Sequence, residues 1–162
     1  MKNIAIEIKW ALIFILVMIV WMFIEKSVGL HDTYIDMHPI FTNLFAIPSF
    51  IIYFIALNEK KNKFYNGKMN WKQGFKTGVI ISALVALVSP LSQYIISTYI
   101  TPDYFKNVIA YAVRTNHMTQ PDAEAYFNLK NYIAQGIFGS IVMGTITSAI
   151  VAFFVKTKTV TT

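Results

Sequence analysis

Four apolar segments, each about long enough to cross a bilayer, leave this chain few folds to choose from. A helix crossing about 30 Å of hydrocarbon needs roughly 20 apolar residues. Within lipid every backbone N–H and C=O must find its partner inside the protein. The apolar residues lie in blocks rather than along amphipathic stripes, so the segments read as membrane helices. The expected fold is all-α, a single integral membrane domain with spans at about 4–24, 40–57, 79–100 and 133–155.

The first span holds fifteen uninterrupted apolar residues from Trp10 onward, with Trp10 and Trp21 suited to the two interfacial belts. It ends in bulky Trp21, Met22 and Phe23 rather than a small-residue cleavage site, so it reads as a retained span and not a signal peptide. The second span is interrupted by Asn43 and Pro48, and the third by Pro90. Asn70-Trp71-Lys72-Gln73 reads as a capping box that starts the third helix ahead of its apolar core. In the second of the two longer loops, Thr101-Pro102-Asp103 predicts a helix with Pro at its first position. Tyr104, Phe105, Val108, Ile109 and Ala112 follow at helical spacing, which gives a short amphipathic helix. Thr119, Pro121 and Asp122 predict a second start running on into the fourth span.

Charge sets the expected orientation. Lys2, Lys9, Lys60, Lys61, Lys63, Lys68, Lys72, Lys76, Lys156 and Lys158 fall on one side, against Glu7 and Glu59 alone. The other side holds Lys26, Lys106, Arg114 and Lys130 with six acids. Basic residues in short loops stay inside, so both termini are expected in the cytoplasm. Lys far outnumbers Arg, and Ile and Asn are abundant, as in AT-rich bacterial genes; the expected location is therefore a bacterial inner membrane. The formal charge of +6 lies beside the spans, where anionic lipid headgroups and not nucleic acid account for it. Lys60, Lys61, Lys63, Lys68, Trp71 and Lys72 are the expected headgroup contacts.

Without a hydrophobic drive between helices in lipid, small residues set how closely they approach. Gly74, Gly78, Ser82 and Ala86 recur at every fourth position of the third helix. Gly136, Ser140, Gly144 and Ser148 do the same in the fourth. These stripes predict close packing within the chain, with a homo-oligomer seam as the alternative.

The run EKSVGLHDTYIDMHPIFTNLFAIPSFIIYFIAL from Glu25, with FYNGKMNWKQGFKTG from Phe64, resembles domain of unknown function 4199. SPLSQYI from Ser89 and MTQPDAEAYFNLKNYI from Met118 extend the resemblance over nearly the whole chain. It implies a small bacterial membrane protein with four spans, and it implies no catalytic or ligand residue.

One cluster carries potential chemistry: Glu25, His31, Asp32, Asp36 and His38 in the first loop, with Asp103 and His117 able to join from the second. Imidazoles and carboxylates can ligate zinc or manganese. No helical HExxH spacing is present, and Asp36 and His38 precede Pro39 where a helix cap belongs. The expected role is therefore capping and interfacial hydrogen bonding, with no catalytic residue, metal or cofactor. Zero cysteines exclude thiolate chemistry. The expected function is that of a non-enzymatic membrane protein: a scaffold, sensor or accessory subunit with a lipid, homo-oligomeric or membrane-protein partner. The alternative is a small transporter or channel subunit. It would use the Pro-kinked second and third helices, with Asn43, Ser89 and Gln93 lining a path.

Overall fold

The computed structural model describes residues 4–157; Lys2 and Lys158 lie outside them. Four helices are long and apolar enough to cross a membrane: Ala5–Ser27, His38–Lys63, Trp71–Ile100 and Leu129–Val155. Two shorter helices, Tyr104–Arg114 and Gln120–Tyr126, occupy the loop between the third and fourth spans. The chain is an all-α membrane protein, and its outer surface is apolar at Leu87, Phe138 and Phe154, as lipid contact requires.

Each span begins and ends for local reasons. Asn70 caps the third helix through the reciprocal Asn70–Gln73 pair that its sequence predicts. The first helix closes with Gly29 in the left-handed region at φ 83°. The Gly29 N–H donates to the Lys26 carbonyl and the Leu30 N–H to the Glu25 carbonyl. This paired closure calls for positive φ, which glycine takes without strain and asparagine tolerates. Asn116 at φ 55° closes Tyr104–Arg114 in the same way.

Four local expectations are corrected. The helix Tyr104–Arg114 starts two residues after Pro102, with Asp103 as an N-cap that makes no side-chain bond. Gln120–Tyr126 does not run into the fourth span; Asn128 is extended and starts the fourth helix afresh by accepting the Asn131 N–H. His38 and Asp36 cap nothing, because the N-cap before Pro39 is Met37, without a side-chain bond. Pro48 lies in the first turn of Ala46–Lys63, after a 3₁₀ segment Thr42–Phe45. A missing N–H is tolerated in a first turn, so no interior kink is required there. Pro90 is interior, and the Ala86 carbonyl it leaves free accepts the Ser89 hydroxyl at 2.9 Å.

The third and fourth spans share the most extensive contact. They run antiparallel with Gly74 against Ala152, Gly78 against Ser148, Ser82 against Gly144 and Ser89 near Gly136. Ala86 is buried on the same face, and Ser140 turns its hydroxyl to the Gly136 carbonyl at 2.6 Å. A Cβ added at Gly78 would sit 2.2 Å from Ser148 Oγ and 2.5 Å from its Cβ. Glycine is therefore required there by the approach of the two backbones. Tyr53 from the second span joins this seam through its hydroxyl, 2.8 Å from Ser82 Oγ, and Ser82 donates on to the Gly78 carbonyl at 2.9 Å. Every hydroxyl in that chain has a partner, as buried polar groups must.

Candidate functional site

Ionisable groups lie buried at both ends of the bundle. At the loop end, Glu25 sits in the last turns of the first helix, 1% exposed. Because the glycine closure turns the chain back on itself, Leu30 is buried and His31, 4% exposed, returns over Glu25. His38 occupies the first position of the second span, just ahead of Pro39.

Three elements thereby converge on one carboxylate oxygen. Glu25 Oε2 lies 3.3 Å from His31 Nε2 and 3.4 Å from His38 Nε2. The other oxygen, Oε1, accepts the Trp21 indole N–H at 2.6 Å, one helical turn earlier. Tyr104 covers the cluster from the loop helix. Its ring lies 5.1 Å from that of His31, and its hydroxyl lies 3.4 Å from His38 Nδ1 and 3.1 Å from the Tyr132 hydroxyl. Burial pushes the Tyr104 hydroxyl well above the usual phenol range, so it stays a proton carrier and not an anion. Asn107, on the same loop helix, donates to the His31 carbonyl at 3.0 Å and pins that turn.

The remaining candidates of this loop lie elsewhere. Asp32 and Asp36 are exposed. The Thr33 backbone N–H holds the Asp32 carboxyl below its usual range, a local turn interaction. Asp103 is exposed, and His117 is engaged with Thr115 at 2.6 Å. Sequence reading placed Glu25, His31 and His38 together but missed Trp21, Tyr104 and Asn107. Trp21 carried a signal, since it stands four residues before Glu25 on one helix face. The other two did not, because only folding brings the second loop onto the first.

At the opposite, lysine-rich end the headgroup expectation is corrected at Lys60. Lys60 is 3% exposed and grips both oxygens of buried Glu7, at 2.8 and 3.0 Å. It is turned into the bundle because Glu7, in the first turn of the first helix, faces it there. Lys61 donates to the Val155 carbonyl at 2.9 Å, satisfying the fourth helix's C-terminus. Lys63 pairs with Glu59 at 3.0 Å, and Glu59 also binds Lys9 and the Trp10 indole. Lys68 and Lys72 are exposed. Trp71 is 36% exposed, stacks on Phe75 and donates its indole N–H to the Ala149 carbonyl at 3.0 Å. The Lys60–Glu7 pair was invisible to sequence reading because its members are 53 residues apart.

Each of the three candidate path residues bonds within its own span. Asn43 is exposed and donates to the Pro39 carbonyl. Ser89 bonds the Ala86 carbonyl and Gln93 bonds Ser97. A pocket of about 310 Å³ opens at the lysine-rich end, lined by Phe64, Tyr65, Asn70, Lys72, Gln73 and Lys76, away from those three residues.

Among known proteins, the family model described as protein of unknown function (DUF4199) matches residues 9–157. No curated protein and no solved structure matches.

Proposed function

Since the chain belongs to the protein of unknown function (DUF4199) family, we propose its role from its own geometry: a non-enzymatic membrane scaffold, sensor or accessory subunit. Its partners are the bilayer, anionic headgroups at the lysine-rich end, and a second copy or another membrane protein; nucleic acid is not among them. Both termini lie in the cytoplasm and the membrane is a bacterial inner membrane. The lysine asymmetry supports that orientation.

One observation carries the reading. The small-residue seam closes the third span onto the fourth at backbone distance, and its polar groups bond to their own chain. A transport path needs polar groups facing an opening; here Ser82, Ser89 and Ser148 are spent on neighbouring carbonyls. Purified protein in liposomes should pass ions and small solutes no faster than protein-free vesicles. A flux that Ser89→Leu or Gln93→Leu abolishes would establish the transporter instead.

Orientation has its own test. Reporters fused after Gly67 should behave as cytoplasmic and those after Met118 as extracytoplasmic; the reverse pattern would invert the topology.

A further inference from the structure

We propose that Glu25, His31 and His38 form a binding site for a divalent transition-metal ion of zinc type beneath the loop helix. The inference does not depend on whether the chain scaffolds or conducts.

Distances carry the first part. One ligand atom from each residue lies within 4.8 Å of the others. In a tetrahedral site with metal–ligand bonds of about 2.0–2.1 Å, neighbouring ligand atoms stand about 3.3–3.4 Å apart. The two measured edges, Glu25 Oε2 to each imidazole Nε2, are 3.3 and 3.4 Å. Two imidazoles and a carboxylate make the nitrogen–oxygen donor set that suits zinc and its neighbours over calcium or magnesium. Three protein ligands leave a fourth position for solvent.

The second part is the state of the nitrogens. His38 Nε2, one of the proposed ligand atoms, is buried without a hydrogen-bond partner. A buried unpaired polar atom costs free energy. A cation between His38 Nε2 and Glu25 Oε2, 3.4 Å apart, would give that nitrogen a partner. The surroundings also suit ligation. The Trp21 indole holds Oε1 so that Oε2 faces the imidazoles, and the Tyr104 hydroxyl meets His38 on its far nitrogen. Such outer contacts orient metal ligands and set their tautomers.

The competing arrangement is a carboxylate that accepts from two imidazole N–H groups, with no metal. Full-length protein, stripped with chelator in detergent, is to be titrated with zinc against a chromogenic competitor, and separately with cobalt(II). We expect one equivalent of zinc bound and a raised melting temperature. Cobalt should give the intense visible absorption of a tetrahedral nitrogen-ligated ion. Trp21→Phe, which leaves all three ligands in place, should weaken zinc binding by about 10–100-fold. His31→Ala with His38→Ala should abolish it, while Asp32→Ala with Asp36→Ala should leave it unchanged. Absence of stoichiometric zinc binding by the unsubstituted protein overturns the proposal, even if the histidine variants fail to fold. So does binding that survives loss of both histidines.

Discussion

Lys60→Met should lower the stability of the bundle by about 3–5 kcal/mol, the usual penalty for stranding one member of a buried ion pair. Glu7 is 2% exposed and Lys60 holds both of its oxygens. Removing the ammonium leaves a carboxylate among apolar helices that cannot draw in enough water to replace it. Glu7→Leu should be costly as well, because it removes the carboxylate that Lys60 holds. The double variant Lys60→Met with Glu7→Leu should recover much of the loss, since a buried pair replaced by apolar groups of similar volume is often tolerated. Lys63 is the control: its side chain is 70% exposed, and its pair with Glu59 is worth under about 1 kcal/mol. Thermal melts in one detergent compare these variants with the unsubstituted protein. If Lys60→Met melts with Lys63→Met, the pair is solvated and the inward placement of Lys60 is wrong.

Gly78→Ala should destabilise the bundle by about 1–3 kcal/mol, and Gly78→Leu by more, because overpacking forces helices apart. The added Cβ would lie 3.2 Å from Ser148 Cα as well as against its side chain. Rotating the serine hydroxyl cannot clear a backbone atom. A Cβ at Gly144 would meet Ser82 Cβ at 2.7 Å and the Tyr53 hydroxyl at 2.9 Å, so Gly144→Leu should act likewise. At Gly139, on the same helix as Gly144, an added Cβ would meet nothing within 4 Å. There an alanine should be neutral or stabilising, by about 0.5–1 kcal/mol from the lost backbone freedom of glycine. Ser148→Gly should rescue Gly78→Ala in part, by removing the Oγ and Cβ contacts at 2.2 and 2.5 Å while the 3.2 Å approach to the Cα stays. Equal melting of Gly78→Ala and Gly139→Ala would mean that the two spans do not touch at this level.

What was legible along the chain was whatever depends on near neighbours. The four spans could be read because about 20 apolar residues in a row have one low-energy arrangement in a bilayer, whatever lies beside them. The Asn70–Gln73 cap could be read because both partners are three residues apart. The small-residue stripes named their own faces, since every fourth residue of a helix returns to one side. That Gly78 meets Ser148 and Gly144 meets Ser82 needed the antiparallel register, which no local signal supplies.

Charged residues were legible only as a count. Six lysines between residues 60 and 76 look alike in sequence, and their number predicts a side of the membrane. Folding then separates them: Lys60 is buried on Glu7, Lys61 closes a distant helix, and Lys68 stays exposed. The loop cluster divides in the same way, with His31 and His38 brought onto Glu25 while Asp32 and Asp36 are left outside. Sequence by itself determined where the chain enters lipid, because transfer of an apolar run is nearly additive along the helix. Only the tertiary structure decided which polar groups meet. A buried charge is stabilised by a partner within a few ångströms, and the partner comes from whichever helix lies opposite.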